Sequence, residues 1–384
     1  MDDWKHGGFG IYIHWPFCLA KCPYCDFNSH VSRTVDHKLW QKALLSELAH
    51  SAALTGPRKV DTVFFGGGTP SLMEAETVAA LIDQIDKLWG LSPGAEISLE
   101  ANPTSVEASK FAAFANAGVN RISMGIQSLN DDDLKRLGRM HTVLEALKAF
   151  DIAKKQFQRV SFDLIYARQH QTPESWFSEL KQALNLAVDH LSLYQLTIET
   201  GTRFGDLYER GKLRDLPQND KAADMYLGTR EICADYGLAG YEISNYAKPE
   251  AESRHNLIYW RYGDYVGVGP GAHARLTLDG QRTALHTQLD PNSWLESVNT
   301  RGHGLLTPED LTLTDQSIEY LMMSMRLTEG SDLLRYSALA GRQISPKIIQ
   351  ELEELGMVEC SGTRLKATTT GRPVLNSILA ELLQ

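Results

Sequence analysis

Residues 8–27 read GFGIYIHWPFCLAKCPYCDF. The stretch opens with an apolar run rich in β-branched and aromatic residues, which predicts a strand. Directly after this run, Cys18, Cys22 and Cys25 stand at C-x3-C-x2-C spacing. Tight cysteine clusters in a chain of cytosolic character usually bind metal or carry out redox chemistry. The stretch therefore predicts a strand whose following loop holds a metal or redox centre.

Two kinds of metal centre compete for these thiolates. Structural zinc takes four ligands, commonly as two C-x2-C pairs far apart in sequence. Here the position two past Cys25, where a C-x-C ending would place a fourth cysteine, is Phe27. Iron–sulfur clusters also take cysteine thiolates, and a cubane held by three of them leaves one iron open to an exchangeable ligand. At this point zinc with a distant fourth ligand and a three-cysteine iron–sulfur cluster are the alternatives. The isolated Cys233 and Cys360 are expected to be buried small hydrophobes.

Strand-like and helical patterns alternate over the next part of the chain. Further strand-like runs lie at 60–67, 96–101, 119–126, 160–166 and 189–198, with helical patterns between them, for instance at 37–54 and 175–188. Such alternation implies an α/β fold with a parallel sheet. Each run ends in polar or glycine-rich residues, which suits a barrel, where the carboxyl ends of the strands converge on one site. A doubly wound sheet would concentrate its site at one switch point instead. We expect a partial (β/α)6 barrel over residues 1–240.

The pattern changes beyond residue 240. Residues 241–292 are dense in aromatics, glycine and histidine and are predicted to be a connecting segment. Residues 293–384 read helix, helix, hairpin and helix, with a turn predicted at Ser361-Gly362, which resembles a smaller α+β winged-helix module. Such modules often bind DNA, but residues 331–384 carry six basic and six acidic side chains. A lid or a partner-docking role is therefore the better hypothesis for this module.

Charge and hydropathy exclude several functional classes. The net charge of −10 argues against broad binding to nucleic acid or to anionic membranes, which usually needs a basic surface. The opening MDDWKHGG is polar and acidic, unlike a signal peptide. No run of 18 apolar residues is present. We expect a cytoplasmic protein that does not bind nucleic acid.

Several motifs together resemble the radical S-adenosylmethionine (SAM) superfamily and, within it, the family of the oxygen-independent coproporphyrinogen III oxidases. These motifs are IYIHWPFC, KCPYCDF, FFGGGTPS, EANP, GIQS, LGRMH, DLIY, YEISNY, HNLIYW and GVGPGAH. The resemblance covers nearly the whole chain and implies a partial (β/α)6 barrel, one [4Fe–4S] cluster and SAM. In that superfamily SAM chelates the open iron. An electron from the cluster then cleaves SAM, which yields a 5′-deoxyadenosyl radical.

The same resemblance assigns site residues by motif position. It implies that Cys18, Cys22 and Cys25 ligate the cluster. The positions that it implies for SAM contact are Tyr12, Gly67, Gly68, Thr69, Glu100, Gln127, Arg139 and Asp163, with Tyr24 beside the cluster. One departure concerns the loop after DLIY, where the family usually has a Gly-Leu-Pro-Gly-Gln-Thr type of sequence. This chain has ARQHQT at 167–172, without glycine or proline, so backbone conformations with positive φ carry a steric cost there.

Two features resemble the haem chaperone branch of the family more than its oxidases. The oxidase motif ends in C-x-C and follows an additional N-terminal segment, whereas this chain has Phe27 and about ten residues before the first strand. HNLIYW at 255–260 also fits the H-N-x-x-Y-W haem-binding motif of that branch. The resemblance implies His255 as the haem iron ligand, with Tyr259 and Trp260 packing against the porphyrin. The alternatives are a structural aromatic cluster around a hydrogen-bonded histidine, and His273 of GPGAH as a rival ligand.

Three functional hypotheses follow from the resemblance. The first is a haem chaperone that carries haem to acceptor apoproteins, with the cluster and SAM in a supporting or switching role. Its expected partners are haem, the acceptors, some of them membrane-bound and reached by peripheral contact, and an electron donor for the cluster. The second is the oxygen-independent oxidase itself, which decarboxylates two porphyrinogen propionates. The third is a radical SAM enzyme acting on another tetrapyrrole.

Overall fold

The protein is described here by a computed structural model that covers residues 2–384. Within these residues the strands are Phe9–Trp15 (β1), Phe17–Cys18 (β2), His30–Val31 (β3), Val60–Gly67 (β4), Leu91–Ala101 (β5), Arg121–Gln127 (β6), Arg159–Tyr166 (β7), His190–Gln195 (β8), Ala239–Gly240 (β9), Asn245–Ala247 (β10), Asp264–Val268 (β11), His273–Leu278 (β12), Gln281–His286 (β13), Glu309–Asp310 (β14), Ser331–Asp332 (β15), Val358–Ser361 (β16) and Arg364–Ala367 (β17).

The α-helices of the same residues are His37–Thr55 (α1), Ala75–Leu88 (α2), Ser105–Ala108 (α3), Phe111–Asn116 (α4), Asp131–Arg136 (α5), Val143–Gln156 (α6), Pro173–Leu186 (α7), Arg203–Glu209 (α8), Asn219–Asp235 (α9), Arg254–Trp260 (α10), Pro291–Arg301 (α11), Leu313–Ser324 (α12), Leu333–Ala340 (α13), Pro346–Glu354 (α14) and Leu375–Leu382 (α15). Short 3-10 turns span Asp3–His6, Pro70–Leu72 and Arg372–Val374.

One large mixed sheet forms the scaffold. Its strand order is β14-β13-β12-β11-β1-β4-β5-β6-β7-β8-β10-β9, and every pair from β11 to β8 is parallel. Helices follow β1, β4, β5, β6, β7 and β8 in turn, which gives six β/α units. The two ends of this order do not pair with each other, so the barrel is open on one side. The predicted partial (β/α)6 barrel is therefore confirmed.

Side chains on β1 alternate between the helical layer and the barrel interior. Ile11 and Ile13 are fully buried in the main core, which the apolar side of α1 covers with Trp40 and Leu44. The intervening Tyr12 points to the interior, where its ring stacks 6.3 Å from that of Phe64 on β4. Because successive side chains on a strand point to opposite faces, one strand supplies both the core and the site.

The segment predicted to connect the barrel to the C-terminal module adds strands to both edges of the same sheet. β10 pairs antiparallel with β8, while β11 pairs in parallel with β1. β12 and β13 then continue the sheet as a hairpin. Without β11, the strand that carries the cysteine loop would have an unpaired edge, which proteins rarely leave exposed. The domain boundaries at 240 and 292 stay predictions, although the sheet itself continues through them.

Residues 313–384 enclose a second, smaller core. Helices α12 to α15 surround a three-stranded antiparallel sheet in the order β15-β17-β16, and Tyr320, Leu321 and Tyr336 are buried between them. Gly362 has φ of 61° in the turn of the β16–β17 hairpin. The winged-helix-like α+β module predicted from the sequence is present. By contrast, α11 and β14, which fall almost entirely within the predicted bounds 293–384, pack with the large sheet.

No helix among residues 2–384 combines the length and the apolar character that a membrane crossing requires.

Glu47 joins three segments of the chain at one buried point. It lies on α1 with 0% of its surface exposed, and its carboxylate accepts hydrogen bonds from the backbone N–H groups of Gly269 (2.8 Å) and Gly304 (2.6 Å). The indole Nε1 of Trp294 donates to it as well, at 3.0 Å, and the Trp294 ring stacks on Trp40. This carboxylate therefore fixes α11 and the turn after β11 against α1.

We predict that Glu47→Ala lowers the free energy of unfolding by at least about 3 kcal/mol, because it leaves three buried donors without an acceptor, at about 1–3 kcal/mol each. Urea denaturation followed by circular dichroism measures the loss. The matched control is Glu231→Ala, which removes an exposed carboxylate from α9 and should change stability by less than about 0.5 kcal/mol. Equal effects of the two substitutions would contradict the anchoring role of Glu47.

Candidate functional site

A small cavity of about 160 Å³ lies at the carboxyl ends of the parallel strands. It collects nearly all the residues assigned from the sequence to the cluster and to SAM. Its walls include Cys18, Cys22, Tyr24, Cys25, Gly67, Gly68, Thr69, Glu100, Gln127, Arg139 and Asp163. Among the residues assigned to the cluster and to SAM, Tyr12 is the one outside this set.

The cysteine loop runs from β2 to β3 and presents its sulfur atoms beside hydrogen-bond donors. Thr69 Oγ1 donates to Cys18 Sγ, and Arg139 Nη1 donates to Cys22 Sγ, both at 3.3 Å. Within the loop, the backbone N–H of Cys25 bonds to the carbonyl of Cys22 at 3.1 Å. Burial raises the pKa of the Cys18 and Cys25 thiols. Donors aimed at sulfur stabilise thiolates, which are the form that ligates iron.

The glycine loop after β4 brings backbone against the cysteine strand. Gly67 has φ of 110°, and a Cβ at this position would lie 2.6 Å from the imidazole of His14. A Cβ on Gly68 would lie 2.8 Å from the carbonyl oxygen of Phe17. Both positions therefore need glycine, and the loop leaves backbone groups lining the cavity, as a closely approaching polar ligand requires.

Two carboxyl groups, those of Glu100 and Asp163, line the cavity. Burial raises the pKa of Glu100 to about 8, and Asp163 nearby contributes to the rise. Burial likewise raises the pKa of Asp163 to about 6, although Ser123 donates to it at 3.3 Å. A cation between them would favour the ionised form of both. SAM carries a sulfonium and an ammonium group, so this pair fits a ligand of that chemistry.

Gln127 and Arg139 supply further polar groups in the wall of the cavity. Gln127 has φ of 73°, and its buried Oε1 has no hydrogen-bond partner among residues 2–384. Arg139 Nη2 donates to Asn102 Oδ1 at 2.5 Å and to the carbonyl of Gly125 at 2.9 Å. A strained backbone and an unsatisfied amide are typical of a ligand site. Together with the cysteine loop and the two carboxyl groups, they fit SAM and a cluster.

Asn102 and Ser123 belong to the same cavity, although neither was assigned from the sequence. Asn102 also donates to Thr69 Oγ1 at 3.3 Å, so it links the glycine loop to Arg139. Asn102 could have been predicted to line the site, because it lies in EANP directly after a strand. Ser123 could have been found from strand alternation, since it shares a face with Gln127 on β6.

A second, larger cavity of about 840 Å³ opens beside the first. Tyr12 lies in this cavity, where its hydroxyl is 3.0 Å from His14 Nδ1. His14 Nε2 is in turn 2.9 Å from the carbonyl oxygen of Asn28 in the cysteine loop. Five residues line both cavities and form their common wall: Lys21, Phe27, Ser29, Gly67 and Glu100. Tyr12 therefore stands at the boundary of the predicted SAM site.

His255 lies inside the barrel with 1% of its surface exposed. Its Nδ1 is 2.6 Å from Thr62 Oγ1 and its Nε2 is 2.7 Å from the hydroxyl of Tyr259. Its ring also stacks on that of Phe64, with centroids 5.1 Å apart. Burial lowers the pKa of His255 to about 3. The assignment of His255 to haem iron stays a prediction, and here both ring nitrogens are hydrogen-bonded.

Tyr259 and Trp260, the other named residues of HNLIYW, line the larger cavity. Their helix α10 packs against β4 and β11, and its N-cap, Ser253, accepts from the N–H of Asn256. The motif thus closes one end of the larger cavity with aromatic rings.

The ARQHQT loop adopts positive φ in spite of its lack of glycine. Ala167 has φ of 56° and His170 has φ of 62°. Arg168 holds the loop, since its buried guanidinium donates to Glu179 at 2.5 Å and to Asp133 at 2.9 Å. This ion-pair network stabilises the loop, and Asp163, which precedes the loop, lines the small cavity.

Phe27 lies at the mouth shared by both cavities, with 59% of its surface exposed. An exposed aromatic ring therefore stands where a C-x-C ending would bring a fourth thiol to the edge of the site.

Comparison with known proteins identifies the family of the chain. The Radical SAM superfamily profile matches residues 12–183. The heme chaperone HemW of Escherichia coli is 37% identical to the chain over 96% of both. Radical S-adenosyl methionine domain-containing protein 1, mitochondrial, of Bos taurus is 38% identical over 97% of this chain and 87% of its own length.

A solved structure shows the same fold. Coproporphyrinogen III oxidase (HemN) from Escherichia coli, described as a radical SAM enzyme, superposes with a TM-score of 0.81 over 99% of this chain and 92% of its own, at 23% identity. The sequence matches extend over nearly the whole chain at more than 30% identity, and this establishes the family. This chain belongs to the radical SAM superfamily and, within it, to the family that contains the heme chaperone HemW.

Proposed function

We propose that this protein is a haem chaperone, which binds haem and a SAM-ligated [4Fe–4S] cluster and delivers the haem to acceptor proteins. The supporting observation is the arrangement of the two cavities. A small polar cavity with three cysteines shares a wall with a larger cavity that has tyrosine and tryptophan in its walls. Relatives named heme chaperone HemW are 33–37% identical over 96–98% of this chain.

The small cavity is the proposed place for the cluster and SAM. Cys18, Cys22 and Cys25 would hold three irons, and the fourth would take the amino and carboxylate groups of SAM. Glu100 and Asp163 would lie near the cationic groups of SAM. When bound, the cluster supplies the electron for reductive cleavage of SAM. The polar residues of the cavity would orient SAM, and Thr69 and Arg139 would stabilise the thiolates of Cys18 and Cys22 by hydrogen bonds.

The larger cavity is the proposed place for the haem. Its volume of about 840 Å³ lies toward the upper end of the range for ligand pockets, roughly 300–1,000 Å³. Tyr259, Trp260 and Tyr265 offer aromatic surface, which packs well against a porphyrin. Lys21 offers a cation for the carboxylates of a porphyrin.

The second candidate function is oxygen-independent coproporphyrinogen III oxidation, which the fold permits. Phe27 is the observation against it, because a side chain without a thiol stands at the shared mouth of the two cavities. The partners proposed for the chaperone function are haem-accepting apoproteins and an electron donor for the cluster. Relatives occur both in bacteria and among proteins named mitochondrial, so the proposed cytoplasmic location applies to a bacterial setting.

The experiment that tests the proposed function is anaerobic reconstitution of the full-length chain with iron and sulfide, followed by haem titration and an oxidase assay on the same sample. We expect one [4Fe–4S] cluster, saturable haem uptake and transfer of the haem to an apo-acceptor. Failure to take up haem in the reconstituted state would exclude the chaperone function.

We predict that Cys22→Ala abolishes a stable [4Fe–4S] cluster, because one of three iron–thiolate bonds is lost. In the unaltered protein, SAM should change the EPR spectrum of the reduced cluster, since SAM binds the iron without a cysteine. Cys360→Ala is the matched control, because Cys360 lies on β16 far from the site. A Cys22→Ala protein with full cluster content and the ordinary response to SAM would refute the ligand assignment.

We predict that the reconstituted protein does not convert coproporphyrinogen III in the presence of SAM and a reductant. The physical reason is Phe27, which supplies no thiol at the edge of the site. Anaerobic turnover is measured by chromatography of the porphyrins after oxidation. Robust decarboxylation would restore the oxidase hypothesis, and SAM cleavage without decarboxylation would favour another tetrapyrrole as substrate.

A further inference from the structure

His273, on the wall of the larger cavity, forms a pair with His286. They stand directly opposite each other on β12 and β13, so their side chains share one face of the sheet. Their ring centroids are 4.3 Å apart, with the planes at 76°. His273 is exposed to the cavity, whereas His286 is half-buried behind it. Within residues 2–384 neither side chain has a hydrogen-bond partner, so the ring nitrogens of both are available.

His255 differs in each of these respects. Its two ring nitrogens are already bonded to Thr62 and Tyr259, at 2.6 and 2.7 Å, and the ring is buried. Ligation of iron would require the loss of one of these hydrogen bonds and the movement of α10. The geometry therefore indicates that His255 positions Tyr259 at the end of the cavity.

The surroundings of His273 suit a flat macrocycle with acidic groups. The apolar and aromatic residues that line the cavity include Tyr259, Trp260, Tyr265, Phe27 and Leu289. These apolar and aromatic surfaces would cover the faces of a porphyrin.

Cations are present in the same cavity. Lys21 contacts the protein there through one long hydrogen bond, 3.4 Å to the carbonyl of Ser29, and is free to meet a propionate. Arg275, on the same strand as His273, is bound to Glu319 of α12 at 2.8 Å. The C-terminal module thus forms part of the cavity wall through Glu319 and Met323.

We infer that haem binds in this cavity with the imidazole of His273 as its iron ligand, and that His286 packs against that imidazole and sets its orientation. This inference rests on the proposed haem function and names the cavity and the iron ligand for it. A neutral imidazole is a common iron ligand. Burial lowers the pKa of His273, and the neighbouring His286 contributes, which favours the neutral form.

The test is a haem titration of the full-length, cluster-reconstituted protein, followed through the Soret band. His273→Ala should weaken haem binding at least about tenfold and shift the Soret band, because the iron loses its protein ligand. Free imidazole added to His273→Gly should restore the band position. Cluster content and the SAM response should stay unchanged, because the cluster and SAM contact other residues.

Two variants serve as comparisons. His286→Ala should weaken haem binding by no more than about threefold, because His286 packs against His273 and does not reach the iron. His255→Gln retains hydrogen-bonding groups for Thr62 and Tyr259, and it should keep the Soret band of the unaltered protein.

Unchanged affinity and spectrum in His273→Ala would overturn the inference, as would a loss confined to His255→Gln or to His286→Ala. In all these cases the unaltered protein still binds haem, so the chaperone function would stand. Absence of haem uptake by the unaltered protein would instead overturn both the function and the site.

Discussion

The parallel pairing of β1 with β4 on one side and β11 on the other is the constraint on which the site depends. Phe9–Ile13 pair with Asp264–Val268, and Gly10–Trp15 pair with Thr62–Gly67. Because all three strands run in one direction, the cysteine loop, the glycine loop and the GPG turn leave the sheet at the same edge. Asn28 joins two of them, since its Nδ2 donates to the carbonyls of Pro270 and Leu289, both at 2.9 Å.

Most of the barrel could be predicted because short stretches of sequence are enough to identify its strands and the loops that follow them. Six apolar runs of high β propensity, each followed by a polar or glycine-rich motif, identify the six β/α units and the edge at which their loops meet. The strand β11 was missed, since DYVGVGPGAH is rich in glycine and lies after a helical motif. Its place beside β1 is decided by a pairing between residues more than 250 positions apart, which no local pattern reports.

The candidate site was predicted unevenly for the same reason. The three cysteines lie within one short segment and GGGTP within another, so each motif can be recognised locally. The structure brings both motifs to one cavity. For His255 the sequence left two interpretations open, a haem ligand and a hydrogen-bonded histidine in an aromatic cluster. Its partner Tyr259 lies four residues away, but its partner Thr62 lies 193 residues away, and no local pattern identifies that second hydrogen bond. The cross-strand pair of His273 and His286 depends on the register of β12 with β13, which becomes visible only after folding.

The two cavities have a common wall that includes Gly67 and Glu100, so the SAM and haem proposed for them would be thermodynamically coupled to each other. A cation in the small cavity ionises Glu100 and thereby changes the electrostatic potential at the boundary of the large one. Linkage then requires reciprocity: whatever factor SAM applies to the affinity for haem, haem applies to the affinity for SAM. The cellular supply of SAM would thus act as an allosteric input to haem retention, even if no SAM is consumed.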